Sequence, residues 1–244
     1  MLFLNDRIKE SVEILKQFEP TEGYYLAFSG GKDSVVLYAM AREAGVRFDA
    51  HYNITTADPP ELVQFIRGKY PSVSMDRPEM SMWELIPSSH GLMPPTRLVR
   101  YCCEYLKERG GEGRVVLTGV KKGDSLKRRT ALIKSCRKNG RVVINSLLNW
   151  CDDEIWEYIK SNNFPYCCLY DEGFSRLGCI GCPMGGAKQQ KRQFERWPKY
   201  RMAYIRAFDA MLKERKKGGL ETTWKTPEEV MSWWLGKESP DEQA

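Results

Sequence analysis

A short apolar run, Tyr24-Tyr-Leu-Ala-Phe28, leads into Ser29-Gly-Gly-Lys-Asp-Ser34 and then into an apolar stretch from Val35 to Glu43 that Gly45 closes. The run has the length and composition of a buried strand, and the following stretch has those of a helix. The six residues between them must therefore turn strand into helix. Two adjacent glycines let the backbone curl so that its N–H groups converge, and a helix N-terminus adds unpaired amides and the positive end of its dipole. Such a concavity suits a phosphate, with Lys32 adding charge and Ser29 and Ser34 adding hydroxyls. The competing use of these residues is a tight turn with Asp33 or Ser34 as helix cap.

The rest of the chain repeats the alternation. Ile8, Val12 and Leu15 share one stripe of a helix over 6–18. Phe48–Ile54 reads as a strand, Pro59 to Ile66 as a helix, Leu98 to Arg109 as a helix, Arg114–Thr118 and Val142–Ile144 as strands, and Asp152–Lys160 as a helix. Strands alternating with helices imply an α/β fold with a parallel sheet flanked by helices. From Phe164 glycine, proline and cysteine accumulate, which divides the chain into a nucleotide-binding-type region, 1–163, and a cysteine-bearing loop with a helical extension, 164–244. Apolar residues are 42% and charged residues 29%, ordinary globular usage that excludes wholesale disorder. No apolar stretch is long enough to span a bilayer, and the first residues lack a secretory pattern, so no membrane partner and a cytoplasmic location are expected. Eight cysteines in a chain of this length are expected as reduced, metal-bound or catalytic thiols.

The glycine loop is not Gly-x-x-x-x-Gly-Lys-[Ser/Thr], because Leu26 stands where the first glycine belongs and Asp33 follows the lysine; Gly-x-Gly-x-x-Gly is absent too. Ser-Gly-Gly-Lys-Asp-Ser resembles the pyrophosphate-binding loop of the ATP pyrophosphatases. Thr55-Thr-Ala-Asp-Pro-Pro-Glu61, Arg100-Tyr-Cys-Cys103 with Lys107, Thr118-Gly-Val-Lys-Lys-Gly-Asp-Ser125 with Arg128-Arg129, Asn149 to Trp156, and Gly178-Cys-Ile-Gly-Cys182-Pro extend the likeness. Over residues 20–185 the chain resembles the phosphoadenosine-phosphosulfate reductase family. The resemblance implies a Rossmann-like, adenine-nucleotide α-hydrolase-like fold that binds adenylated substrates or ATP at the carboxyl ends of its strands.

By that resemblance Ser29, Gly30, Gly31, Lys32, Asp33 and Ser34 hold the pyrophosphate or sulfate end of the nucleotide. Gly119, Lys121, Ser125, Arg128 and Arg129 form a second basic loop, and Ala27, Phe28 and Thr55 flank the adenosine. Lys32, Asp33 and Arg128 are the expected catalytic group, with Asp33 either holding Mg²⁺ or capping the helix.

Cys179-x-x-Cys182 spaces two thiolates for one metal centre but does not complete it. The tandem Cys102-Cys103 with this pair resembles the [4Fe–4S] pattern of adenylyl-sulfate reductases, and Cys136 is a fifth candidate because related sequences of the non-reductase type place a cysteine there. Zinc is the alternative occupant. Cys151, Cys167 and Cys168 match no such pattern and read as small buried hydrophobes.

Two departures from the reductases bear on the reaction. No cysteine follows Cys182, so a C-terminal attacking thiol is missing, and the phosphate loop is intact. Together they favour cleavage of Mg²⁺-ATP between its α- and β-phosphates, adenylylating an acceptor for sulfur transfer. A phosphosulfate reductase using Cys167, Cys168 or a partner's thiol, and a non-enzymatic nucleotide-binding cluster protein, are the alternatives. Residues 186–217 carry eleven Lys and Arg against three acids, +8 within a chain of net charge +6. That segment, with Phe194, Trp197, Tyr200, Tyr204 and Phe208 interleaved, is either a nucleic-acid surface or a helix with inward aromatics and a solvated basic face. A homodimer is an assembly open to such a chain.

Overall fold

The computed structural model describes residues 2–136 and 140–236. Its contacts group the chain into two compact units, one of Met1–Asn53, Pro60–Asp76 and Gly110–Leu177, the other of Ile54–Pro59, Arg77–Arg109 and Gly178–Ala244.

The first unit is built on a six-stranded sheet: β1 (Tyr24–Ala27), β2 (Phe48–Asn53), β3 (Ser74–Asp76), β4 (Val116–Leu117), β5 (Lys134–Cys136) and β6 (Val142–Ile144), in the order β3-β2-β1-β4-β6-β5. All neighbours are parallel except β5, which pairs antiparallel with β6. The chain builds outward from β1 to β3 on one side and then resumes with β4 on the other. β1 and β4 therefore lie side by side at the point where the strand order reverses, the place where open parallel sheets leave a crevice at their carboxyl ends. Helices α1 (Leu2–Gln17), α2 (Lys32–Ala44), α3 (Pro60–Lys69) and α6 (Asp152–Ser161) belong to this unit, with α1 packed on α2 and α2 on α6. Leu15, Leu26, Val36, Leu37, Met40 and Ile66 are fully buried among them. Gly45 ends α2 at φ 68°, a left-handed cap that glycine adopts without strain.

The second unit is helical: α4 (Met82–Leu85), α5 (Tyr101–Leu106), α7 (Gly186–Arg196), α8 (Pro198–Lys217) and α9 (Pro227–Trp234), with α8 packed against α4, α7 and α9. The helix expected over 98–109 covers only Tyr101–Leu106, because Thr96 and Val99 bond to each other in a turn that leaves Leu98 94% exposed. The basic segment is broken at Trp197–Pro198, where proline opens α8 and offers no N–H to continue α7. No described helix is long and apolar enough to cross a membrane.

Candidate functional site

The loop after β1 holds its shape through its own polar groups. Gly30 sits at φ 71°, and a Cβ there would come within 2.7 Å of Leu62 and 2.8 Å of Ile66 on α3. Only glycine fits that space and that backbone angle together. Ser34 Oγ donates to the Gly31 carbonyl at 2.8 Å, and Ser29 Oγ bonds Ser34 Oγ at 3.2 Å. Gly31 N donates to Ser29 Oγ at 3.4 Å. The Lys32 amide, the first of α2, donates to the hydroxyl of Tyr170 at 2.8 Å.

Lys32 is buried, and its ammonium lies 3.3 Å from Asp33 and 3.2 Å from Asp152. A second buried ammonium comes from the loop after β4. Lys121, 2% exposed, pairs with Asp33, with Asp124 at 3.2 Å and with Asp152 at 3.1 Å. Burial opposes the Lys121 charge, but the Asp33, Asp124 and Asp152 carboxylates outweigh it and raise its pKa. Burial likewise opposes ionisation of Asp124 and Asp152, and Lys121 overcomes it and holds both below the usual carboxylate range. Arg128 closes the network on Asp124. Gly119 leaves room for this approach, since a Cβ on it would lie 3.2 Å from the Asp33 backbone. Three cations thus face three carboxylates, Lys32, Lys121 and Arg128 against Asp33, Asp124 and Asp152.

The structure brings Ser29 to Ser34, Gly119, Lys121 and Arg128 together in this unit, and Ala27 and Phe28 lie on the strand end that feeds the loop. Ser125 and Arg129 are exposed near Arg128 in sequence. Asp33 and Asp152 are each engaged by both Lys32 and Lys121, and Asp124 by Lys121 and Arg128, so all three carboxylates are paired with cations. Asp124, Asp152 and Tyr170 are members that the sequence did not single out. Nothing in their spacing marks them, because Asp152 reads as an ordinary acid in the first turn of α6.

Thr55 falls in the second unit. Its amide and hydroxyl both donate to the Asp58 carboxylate at 2.7 Å, and the Cys179 thiol donates to its hydroxyl at 3.4 Å. Ile180 N bonds the Ala57 carbonyl at 2.7 Å, which fixes the Cys179–Cys182 loop against this segment. Two buried glutamines clamp the loop from α7: Gly181 N donates to Gln193 at 2.8 Å, and Gln190 donates to the Gly181 carbonyl at 2.9 Å. Gly181 has φ 75°, and a Cβ would meet the Phe194 ring at 2.5 Å. The basic segment's aromatics serve the same clamp. Tyr200 and Tyr204 donate to the Asp58 and Ile180 carbonyls at 2.8 and 2.9 Å, and Phe194, Trp197, Tyr204 and Phe208 are buried.

Four of the candidate cysteines lie in this unit and act on one another electrostatically. Cys102 bonds Cys103 and feels Cys179 and Cys182, and its thiol is pushed up. That bond, with the Arg100 guanidinium, holds the Cys103 thiol below its ordinary value. Burial raises the Cys179 thiol. Lys107 has its pKa raised by Cys179 first, and by Asp58, Cys103 and Cys182. Among the described residues no three His, Cys, Asp or Glu side chains are placed to hold one metal ion. The donor set is thus four mutually sensed thiols with two cations, Lys107 and Arg100, to offset thiolate charge. Four thiolates are a donor set that suits either an iron–sulfur cluster or a zinc ion. Cys136 is exposed at the end of β5 in the first unit.

A family model described as the phosphoadenosine phosphosulfate reductase domain matches residues 23–184. The chain is 27% identical over 157 residues to an adenosine 5'-phosphosulfate reductase of Oceanobacillus iheyensis, covering 61% of this chain and 63% of the relative. It is 24% identical to one of Staphylococcus haemolyticus, covering 80% and 86%. An uncharacterized protein of Methanocaldococcus jannaschii is 29% identical, covering 72% of this chain but 40% of its own length. The match thus spans under two thirds of the first and third of these relatives. Among solved structures, the phosphoadenylyl-sulfate reductase of Candida auris, a phosphate complex, superposes with TM-score 0.54 at 19% identity over 72% of this chain and 93% of that one. The NMN synthetase of Francisella tularensis gives 0.51 at 14% identity over 96% and 93%. These likenesses establish the adenine-nucleotide α-hydrolase-like fold, and the family match, covering well over half of the sequence, establishes that the chain belongs to the phosphoadenosine phosphosulfate reductase family.

Proposed function

We propose that the chain is an ATP pyrophosphatase-type enzyme that adenylylates an acceptor, with a cluster-bearing cysteine site serving sulfur transfer. The observation that carries this reading is the pair of buried ammonium groups, Lys32 and Lys121, delivered by the loops of two adjacent parallel strands. Preorganised in a partly dry site, they stabilise charge that develops on a leaving pyrophosphate. Lys32 carries its charge at the loop itself, while Lys121 and Arg128 reach it from the second basic loop. Any Mg²⁺ travels with the triphosphate, since Asp33, Asp124 and Asp152 are held by lysines.

Cys102, Cys103, Cys179 and Cys182 are the residues proposed to hold a [4Fe–4S] cluster, which when bound supplies an iron site for sulfur. Lys107 and Arg100 balance the thiolate charge there. The acceptor class proposed is nucleic acid, docked by the outer face of α8, where Lys199, Arg201, Arg206 and Lys213 are exposed.

The second reading is a phosphosulfate reductase, favoured by the printed activity of the bacterial relatives. Its thiol is hard to assign within this chain: Cys167 is fully buried and burial pushes it up to about 11, which leaves exposed Cys168 or a partner's thiol.

Anaerobically purified protein incubated with ATP and RNA or DNA, and separately with adenylyl sulfate or its 3'-phosphate plus a dithiol, tests both. Acceptor-dependent pyrophosphate release supports adenylylation. Sulfite release without it establishes the reductase.

A further inference from the structure

We infer that Tyr170 is a fixed anion-binding group of the β1–α2 loop, donating its phenol proton to a terminal phosphate or sulfate oxygen of the bound nucleotide. The inference rests on the reading that this loop holds such an anion. The N-terminal amides of a helix have no partner within the helix, and the Lys32 amide is one that should face the ligand. Here it donates instead to the Tyr170 hydroxyl at 2.8 Å, and a Cβ on Gly31 would lie 3.3 Å from that same oxygen. The phenol therefore stands between the amide and whatever enters the loop.

Its protonation state makes it a donor. Burial pushes the Tyr170 pKa up, so the hydroxyl keeps its proton at neutral pH. The oxygen accepts from the Lys32 amide, and no described residue accepts its proton. A hydroxyl that already accepts a bond becomes a stronger donor, so the amide's pull is passed on to the ligand.

The ring is held in place. Tyr170 ends the 3₁₀ turn Cys168–Tyr170, whose Leu169 is fully buried beside Cys167. Trp156 meets the ring edge-on at 5.0 Å, and Tyr166 lies 6.5 Å away. Withdrawing the phenol would break these contacts, which favours a permanent ligand over a removable plug. Tyr170 also adds a donor without adding charge, the kind of group a network of balanced lysines and carboxylates lacks.

Tyr170→Phe keeps the ring and removes only the hydroxyl. Calorimetric titration with inorganic pyrophosphate and with adenosine, which has no phosphate, separates the roles. The expected result is about tenfold weaker pyrophosphate binding, the scale of one hydrogen bond to a charged group. Adenosine binding should be unchanged, and the thermal midpoint should fall only slightly, through loss of the Lys32 amide bond. Unchanged or tighter pyrophosphate binding overturns the inference, tighter binding showing that the phenol shields the amide. Equal losses for both ligands overturn it in favour of a general structural role. Wild-type protein that does not bind pyrophosphate overturns the loop reading itself, and the inference with it.

Discussion

The Lys121 ammonium is paired with the Asp33 carboxylate, joining the loop after β4 to the first turn of α2. The same ammonium reaches Asp124 and Asp152, so one buried cation holds three carboxylates together. Removing it in Lys121→Met leaves three carboxylates facing only two cations, Lys32 and Arg128. A loss of about 2–4 kcal/mol of stability at pH 7 is expected, the range for breaking a partly buried ionic network. Asp124 and Asp152 have lowered pKa values, so their contribution is fully present above about pH 4, the unfolded value, and fades as pH falls through the folded one. Lys121 has a raised pKa, so its contribution is present below about pH 10.4 and fades above. The deficit of the variant should therefore hold from pH 7 to about 4 and shrink as pH falls further, through the lowered Asp124 and Asp152 values. Urea unfolding midpoints across that range check it, and a constant deficit would assign the effect to lost packing of the lysine stem.

Gly30→Ala forces a left-handed residue and a Cβ into the space of Leu62 and Ile66. Strain and overpacking together should cost about 2–4 kcal/mol. Denaturant titration measures that cost, and pyrophosphate affinity in the folded fraction reports whether the curl survives.

Cysteine variants discriminate the cluster ligands. Cys103→Ser and Cys179→Ser should lose most of the iron and sulfide retained by anaerobically prepared wild type, whereas Cys136→Ser and Cys151→Ser should keep it. Iron depletion in Cys136→Ser would require a ligand set other than the four proposed.

The outer face of α8 makes a quantitative claim about nucleic acid. Replacing Lys199, Arg201, Arg206 and Lys213 by Gln should flatten the dependence of log K on log salt by about 3, near 0.7 per lost phosphate contact on single strands. Binding that is insensitive to salt in the parent protein would remove the surface from consideration.

Thr226 caps α9 by accepting the Glu229 amide at 3.2 Å, and Glu229 reaches back to the Thr226 amide at 3.3 Å. Thr226→Ala should cost about 1 kcal/mol and lower the thermal midpoint by roughly 2–4 °C. No change in midpoint would mean that α9 frays before the transition.

The elements legible in the sequence are those whose pattern is local. The stripe of Ile8, Val12 and Leu15, the apolar run at Tyr24 and the glycine at 45 mark α1, β1 and the end of α2 with no help from the rest of the chain. Strands β3 (Ser-Met-Asp) and β5 (Lys-Ser-Cys) are not legible, because each is three residues long and largely polar. Pairing with β2 and β6 decides them. The site follows the same division. The glycine loop is written in consecutive residues, whereas Asp124, Asp152 and Tyr170 join it from distant positions through the sheet order. Gln190 and Gln193 carry no local signal either, yet both are buried on the Gly181 peptide. The aromatics of the basic segment are open to two uses in the sequence; Tyr200 and Tyr204 turn onto carbonyl acceptors that only the folded chain supplies, and Phe194 and Phe208 are buried.

The reversal of strand order beside β1 has a further implication for how such a site can diversify. The two lysine-bearing turns are neighbours in space but lie some ninety residues apart along the polypeptide. Each can thus change in length or charge away from Gly119, Lys121 and Asp33, where the two loops touch. A lineage could preserve the grip on one end of its nucleotide while retuning the other for a new leaving group, with the sheet serving as an unchanging ruler between them.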